Sequence, residues 1–240
     1  MRQAVVAAFL TLLAAPAAAV DCDDVTFDGR SYTFCAVNPA REELRMFLRD
    51  EEGEIFGNFS TIEESLGGRT LAFAMNGGMY HDDRDPVGLY IEDGEEVMRL
   101  VTNAGPGNFG LLPNGLLCIE DGAARVWETL AFEAAGPACR DASQSGPMLV
   151  IGGELHPKFL PESTSRFIRN GVGTNAEGTL AVFVISNEPV TFYEFARLYR
   201  DYFELPDALY IDGKVSRLHA PQLGRSDFGF QLGPIVGVVE

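Results

Sequence analysis

Basic residues are scarce in this chain. It has 18 Lys and Arg against 35 Asp and Glu, and its formal net charge is -17 at pH 7. A protein with this excess of acid repels nucleic acid and anionic membrane surfaces, so both are excluded as partners. The acidic residues are spread along the chain, which is typical of a solvated surface.

Long apolar runs are also missing. An apolar run over residues 4–13 follows Arg2, and small residues at 17–19 follow Pro16. The run is shorter than the roughly 20 residues of a membrane span, and the pattern fits a cleaved secretory signal rather than an anchor. We predict a signal peptide at residues 1–19, one domain over residues 20–240, no stable membrane span, and a periplasmic or secreted location.

Cysteines are few, and none lies in a CxxC pair or at a Cys-His spacing suited to zinc. An even number in an exported chain favours disulfides over a catalytic thiol. Among the three possible connectivities, proximity along the chain favours Cys22 with Cys35 and Cys118 with Cys139.

Short apolar runs between glycine-containing turns predict many strands. The candidate strands lie at residues 32–37, 44–48, 70–75, 87–91, 96–101, 115–119, 124–127, 147–151, 180–185 and 208–211. Turns at 92–94, 113–115 and 120–122 are expected to close hairpins.

One helix is clear. Thr191 and Glu194 form the pattern of a capping box, and the aromatic residues that follow repeat on one face, as core residues do. The chain has no repeat and no long linker. We predict an α+β fold: a single strand-rich domain with a mixed β-sheet and a few helices.

Glycine-bracketed polar residues occur at four separated places, residues 75–81, 145–150, 169–173 and 210–213. Each place lies at or near the end of an apolar run, which predicts a strand that delivers an Asn, Ser, Arg or Asp into a tight turn. Rigid strands that present polar side chains in turns are a common way to build an active site.

In this order, the four segments resemble the phosphodiester glycosidase family, that of the uncovering enzyme N-acetylglucosamine-1-phosphodiester α-N-acetylglucosaminidase. Each segment alone is a common turn, and the order is the specific signal. The resemblance runs from about residue 70 to residue 238. It implies a hydrolase that cleaves a sugar 1-phosphodiester between the anomeric carbon and the phosphate oxygen. The sequences at 79–82, 108–115 and 214–217 resemble a smaller bacterial branch of exported proteins.

That reaction needs a cation at the phosphate and a carboxylate at the anomeric carbon. Arg169 is the candidate phosphate clamp, because a guanidinium binds two phosphate oxygens; the alternative is a structural salt bridge. Asp212 is the candidate base or nucleophile; the alternative is a residue that only shapes the turn. His81 is the candidate proton donor, with His219 in reserve.

The remaining candidates for substrate contact are polar residues and glycines of the same segments. Small polar side chains suit sugar hydroxyls, glycine lets backbone N–H groups approach an anion, and nearby cations add positive charge. The alternatives are turn geometry for the glycines and surface pairing for the cations. The candidates are Asn76, Gly77, Gly78, Ser145, Gly146, Asn170, Gly213, Lys214, Ser216 and Arg217.

We expect no cofactor. Asp82, Asp83 and Asp85 could converge on a divalent metal ion, but the loop lacks the glycine and terminal glutamate of an EF-hand, and Arg84 competes for the carboxylates. The favoured partner is a small molecule or glycan that bears a phosphodiester.

Two other functions stay open: a non-catalytic exported glycan-binding or envelope module, and a phosphodiesterase that cuts the P–O bond. Ser145 is not in a G-x-S-x-G elbow, which disfavours a serine hydrolase. The sequence leaves the sugar and the oligomeric state open.

Overall fold

The computed structural model describes residues 20–212 and 215–240. The predicted signal peptide lies outside the described residues, as do Gly213 and Lys214. Three short helices are α1 (Phe59–Ser65), α2 (Thr129–Ala135) and α3 (Phe192–Arg197), with a π-helical turn at Leu198–Tyr202 and a 3-10 turn at Pro221–Leu223. The strands are β1 (Asp21–Phe27), β2 (Arg30–Val37), β3 (Glu43–Phe47), β4 (Leu71–Asn76), β5 (Tyr90–Glu92), β6 (Glu95–Met98), β7 (Gly115–Glu120), β8 (Ala123–Glu128), β9 (Asp141–Ser145), β10 (Met148–Ile151), β11 (Glu154–Leu155), β12 (Asn170–Thr174), β13 (Ala181–Ser186), β14 (Asp207–Asp212), β15 (Leu218–Ala220), β16 (Arg225–Ser226) and β17 (Ile235–Val239).

The strands form three sheets. The first has the order β1-β2-β13-β12-β14-β10-β11, the second β16-β15-β4-β17-β3 and the third β6-β5-β9-β7-β8. The predicted strand-rich α+β domain is confirmed. A mixed sheet was expected, but every pairing between the described strands is antiparallel. Parallel neighbours usually need a crossover helix, and these helices, of six or seven residues, are too short for that role.

One hydrophobic core joins the three sheets. Phe73 of β4 packs on Phe183 of β13, with ring centroids 4.9 Å apart. Met75 of β4, Val172 of β12 and Leu117 of β7 belong to the same buried cluster. Because each sheet buries apolar side chains against the others, the three sheets form one folding unit.

Helix α3 begins where the sequence predicts. The Thr191 hydroxyl accepts a hydrogen bond from the Glu194 N–H at 3.1 Å, and the Glu194 carboxylate accepts one from the Thr191 N–H at 2.8 Å. Phe195 and Tyr199 then pack onto β12, where a Cβ at Gly173 would lie 2.7 Å from the Tyr199 ring. The glycines of β12 therefore serve helix packing, although their pattern predicted a turn.

Some local predictions needed correction. The strands expected at residues 87–91 and 96–101 are confined to Tyr90–Glu92 and Glu95–Met98. The turn at 113–115 leads into β7 and closes no hairpin, because the Asn114 side chain bonds instead to the carbonyl of Phe109 and the hydroxyl of Thr129. The other two predicted hairpin turns join β5 to β6 and β7 to β8.

Both expected disulfides are present. Cys22–Cys35 joins β1 to β2, and Cys118–Cys139 joins β7 to the segment before β9. Among the described residues, no helix combines the length and apolar character of a membrane span.

The hairpin of β5 and β6 contains a partly buried carboxyl group. Burial raises the pKa of Glu92 to about 7, and the nearby charges of Asp141 and Asp93 add to the increase. Hydrogen bonds from the Tyr90 hydroxyl, at 2.9 Å, and from the Leu48 backbone act in the opposite direction. Glu92 therefore folds more favourably as the neutral acid.

Glu92→Gln should flatten the pH dependence of stability. Because the pKa of Glu92 is raised on folding, its stabilising contribution is present below about pH 4.5 and is lost as pH rises toward 7. Relative to wild type, the variant should gain up to about 3 kcal/mol in free energy of unfolding between pH 5 and pH 8.

Urea unfolding across that pH range measures the gain. Glu96→Gln, an exposed change on the same hairpin, is the matched control and should leave the profile unchanged. Parallel profiles for wild type and Glu92→Gln would contradict the assignment.

Candidate active site

A cavity of about 570 Å³ lies beside the ends of β4 and β14. This volume is in the range of small-molecule sites. Three segments line it: the loop after β4, the end of β14 together with Val215, and the segment before β17. The lining residues are Met79, Tyr80, His81, Asp82, Arg84, Val87, Asp212, Val215, Phe230 and Gln231.

Asp212 is the last residue of β14 and is only 8% exposed. Its backbone N–H donates to the Asn170 side-chain oxygen at 3.1 Å, and the Asn76 amide nitrogen lies 3.5 Å from the carboxylate. The strand-end position predicted for Asp212 is therefore the position it occupies. Asn76 therefore contacts the carboxylate itself, and Asn170 holds the backbone of the same residue.

The same two asparagines hold the chain that follows Asp212. Asn76 accepts a hydrogen bond from the Arg217 N–H at 2.8 Å and donates to the carbonyl of Val215. Asn170 donates to the Ser216 hydroxyl at 2.9 Å. Both asparagines are fully buried. Asn76, Asn170 and Ser216 therefore hold Asp212 and residues 215–217 from within the fold, rather than presenting free groups to the cavity.

Ser145 also acts on β14. Its hydroxyl donates to the carbonyl of Ile211 at 2.6 Å, directly before Asp212. Ser145 is 1% exposed. We expected this hydroxyl at the substrate, but its geometry instead supports the strand that carries the carboxylate.

The glycines of the first two segments permit close packing. A Cβ at Gly77 would lie 2.8 Å from the Ile235 backbone, one at Gly78 would overlap the Ser143 hydroxyl, and one at Gly146 would lie 2.6 Å from Asn114. Gly77 donates its N–H to the carbonyl of Pro234 at 2.7 Å. That N–H is therefore used within the fold, where an anion contact was expected.

Arg169 is 1% exposed and is not among the residues that line the cavity. Its guanidinium donates to the carbonyls of Val190, at 2.9 Å, and Ser165, at 3.2 Å, and its central carbon lies 3.6 Å from the Phe192 ring centroid. Burial lowers its pKa. The structure thus places the expected phosphate clamp inside the scaffold, beside Asn170.

Arg217 is another buried cation with backbone partners. It donates to the carbonyls of Asp227 and Phe230, and to the side chain of Asn58. Burial lowers its pKa. Although it was a candidate for substrate contact, it holds the segment that brings Phe230 to the cavity.

His81 lines the cavity and is exposed, as its proposed role requires. His219 lies elsewhere, between the Ser226 hydroxyl and the Leu71 carbonyl. In the carboxylate loop, Asp85 pairs with Arg49 at 2.6 Å and Asp83 accepts the Asp85 N–H. Within residues 20–212 and 215–240, no three metal-ligating side chains converge.

The sequence prediction missed several cavity residues. Arg84 and Tyr80 lie on the loop after β4, and Phe230 and Gln231 lie before β17. The sequence did carry a signal for Phe230. Phe228 and Phe230 flank a glycine in an otherwise polar segment, where aromatic side chains are unusual unless they contact a ligand or partner. Arg84 was missed because the acidic residues around it suggested that it only pairs with their carboxylates.

A buried carboxylate that lines a cavity of small-molecule size is typical of an active or binding site. Residues 69–219 match the family of phosphodiester glycosidases. A protein of Escherichia coli strain K12 named Uncharacterized protein YigE is 34% identical over 214 residues, which cover 88% of this chain and 84% of that protein. The chain belongs to the phosphodiester glycosidase family and is a hydrolase of that type.

Solved structures share the fold. The catalytic domain of zebrafish N-acetylglucosamine-1-phosphodiester alpha-N-acetylglucosaminidase, auto-inhibited by its pro-peptide, matches with a TM-score of 0.62 at 15% identity, over 92% of this chain and 82% of that one. A hypothetical protein from Synechocystis matches with a TM-score of 0.60 at 13% identity, over 92% of this chain and 61% of that one. These identities establish likeness of fold alone.

Arg169→Lys should destabilise the protein by about 3 kcal/mol, because lysine reproduces neither the paired backbone hydrogen bonds nor the stacking on Phe192. Urea unfolding measures the loss. Arg166→Lys, at a partly exposed ion pair with Glu194, is the matched control and should cost within about 0.5 kcal/mol.

The same pair separates a structural from a substrate role. Where Arg169→Lys is fully folded, its kcat/KM on a sugar 1-phosphodiester should stay within a few fold of wild type. If kcat/KM fell by orders of magnitude while stability was unchanged, Arg169 would have to be assigned to phosphate binding instead.

Proposed function

We propose that this protein is an exported hydrolase that cleaves the glycosyl-phosphate bond of a sugar 1-phosphodiester on an envelope or extracellular glycan. The observation that carries the proposal is Asp212, which lines the cavity with its carboxylate 3.5 Å from the Asn76 amide nitrogen and its backbone N–H bonded to Asn170. Family membership supports the phosphodiester, and the zebrafish relative of similar fold is named for such a bond.

The chemistry follows from the charges that develop. As the bond to phosphate breaks, the anomeric carbon gains positive charge, which a carboxylate stabilises, either as nucleophile or as the base that activates water. Water supplies a hydroxyl to that carbon and a proton to the departing phosphate monoester. Since this monoester has a second pKa of about 6, it leaves with little help from an acid. Asp212 can therefore supply most of the catalysis, with little need for a separate acid.

Two cavity residues can assist at the leaving group. His81 is exposed and lines the cavity, so its imidazole can reach the departing phosphate oxygen. Burial and the charge of Asp212 raise the pKa of Tyr80, although Arg84 and Arg217 act in the opposite direction. The Tyr80 hydroxyl thus stays protonated at neutral pH. It donates to the carbonyl of Gln231 at 3.3 Å, and its oxygen can accept a hydrogen bond from a sugar hydroxyl.

Export is supported by the covalent structure and the sequence. All four cysteines form disulfides, which persist in oxidising compartments. The apolar run after Arg2 and the small residues at 17–19 fit a signal peptide, which leaves residues 20–240 as the exported domain.

An exposed aromatic side chain supports a sugar as substrate. Phe230 lines the cavity yet is 79% exposed, and the bond from Arg217 to its carbonyl, at 3.0 Å, fixes its backbone. An aromatic ring at a cavity is suited to stack on the apolar face of a sugar ring.

Asp212→Asn should lower kcat/KM on a sugar 1-phosphodiester by about 100- to 10,000-fold, because the amide keeps the shape and loses the charge. Steady-state kinetics on a panel of such diesters measures the loss, with folding checked by circular dichroism. Asp207→Asn is the matched control: it changes a carboxylate at the other end of β14 that accepts the Gly152 N–H. Near-normal turnover by folded Asp212→Asn would show that the carboxylate only shapes the turn.

Phe230→Ala should raise KM by about five- to tenfold and leave kcat nearly unchanged, because it removes apolar contact made equally in the ground state and the transition state. Phe228→Ala is the matched control, since Phe228 is 93% exposed and is not among the residues that line the cavity. Equal effects of the two changes would argue against stacking at Phe230.

A further inference from the structure

Arg84 lines the cavity in a backbone conformation that non-glycine residues rarely adopt. Its φ is 77°. A left-handed arginine costs on the order of 1 kcal/mol or more, and such residues persist where the surrounding structure holds them, often at ligand sites. Of the non-glycine residues with positive φ in the described chain, Arg84 is the one that lines the cavity.

The loop around Arg84 is closely fitted. The Arg84 N–H donates to the carbonyl of His81 at 2.9 Å, and its guanidinium donates to the carbonyl of Asp82 at 2.7 Å. A Cβ at Gly233 would lie 2.6 Å from Tyr80 and 2.8 Å from the Arg84 carbonyl, so the loop packs against a position open only to glycine. The guanidinium therefore has a defined place at the cavity.

Part of that guanidinium is buried without a partner. The Nε atom of Arg84 is shielded from solvent and makes no hydrogen bond to any residue among 20–212 and 215–240. Burying a charged donor without a hydrogen-bond partner costs free energy of folding. Such a group in a folded protein often marks a ligand site. Because an atom shielded from water is also out of reach of a phosphate oxygen, an anion in the cavity would bind the other guanidinium nitrogens and offset this cost through the shared charge.

Arg84 and Asp212 both influence the pKa of the Tyr80 hydroxyl. Burial is the main cause of the raised pKa of Tyr80; the charge of Asp212 adds to the increase and that of Arg84 opposes it. The central carbon of the Arg84 guanidinium lies 5.4 Å from the centroid of the Tyr80 ring. The cavity thus contains a cation and a carboxylate with a tyrosine in electrostatic reach of both. A substrate with an anionic group next to a reacting carbon matches this arrangement.

We propose that Arg84 binds the phosphoryl group of the substrate, so that the phosphate lies on the side of the loop after β4 and the sugar carbon faces Asp212. This inference rests on the proposed function and deepens it. It gives the phosphate role to a residue at the cavity, where Arg169 and Arg217 are occupied by backbone carbonyls. Binding of an anion at Arg84 would favour phosphodiesters over neutral glycosides of the same sugar.

Phosphate binding tests the proposal without turnover. Isothermal titration with inorganic phosphate and with methyl phosphate should show binding to wild type, and about 10- to 100-fold weaker binding to Arg84→Gly and Arg84→Gln. Arg84→Gly is the decisive variant, because glycine accepts the left-handed φ and should keep or raise the melting temperature. Arg99→Gln, an exposed arginine outside the cavity, is the control and should bind as wild type does.

The outcomes are distinguishable. Wild-type affinity in both Arg84 variants, or no measurable phosphate binding to wild type, would overturn the proposal. If phosphate binding depends on Arg84 but no sugar 1-phosphodiester is turned over, the proposed reaction fails and the anion site stands. If turnover depends on Asp212 and Arg84→Gly leaves kcat and KM unchanged, the reaction stands and the role of Arg84 fails.

Discussion

Two buried asparagines hold the chain segment that contains Asp212 and links β14 to β15. The chain passes from β14 in the first sheet to β15 in the second through the segment that begins at Asp212. Asn170 binds this segment from the first sheet and Asn76 binds it from the second. Each amide uses both its donor and its acceptor, so loss of either would leave buried backbone groups unpaired, at a cost of about 1–3 kcal/mol each. The position of the Asp212 carboxylate is thus a consequence of how the sheets are joined.

The arginines near the site divide into two kinds. Arg169 and Arg217 are buried, their pKa values are lowered by burial, and their donors are used by backbone carbonyls. They fix the segments around the cavity. Arg84 lies at the cavity itself. In a chain with a net charge of -17, a local cation is needed to attract an anionic substrate against the overall field.

The sequence predicted those features that depend on local pattern. Asp212 at a strand end, the capping box of α3 and the two disulfide pairings all follow from residues close in the chain. Features set by distant contacts were not predictable. β12 resembles a turn because its glycines make room for Tyr199, a residue 26 positions beyond Gly173. Arg169 has the right chemistry for phosphate, but only the fold shows that Phe192 and Val190 enclose it.

The central claim is that water attacks the sugar carbon and not the phosphorus. Hydrolysis of a sugar 1-phosphodiester in water enriched in oxygen-18, analysed promptly by mass spectrometry against an enzyme-free blank, tests this directly. Attack at the anomeric carbon, with Asp212 as nucleophile or base, predicts that the label enters the released sugar and that the phosphate monoester stays unlabelled. Label in the phosphate would contradict the account and would identify a phosphodiesterase that cuts the P–O bond.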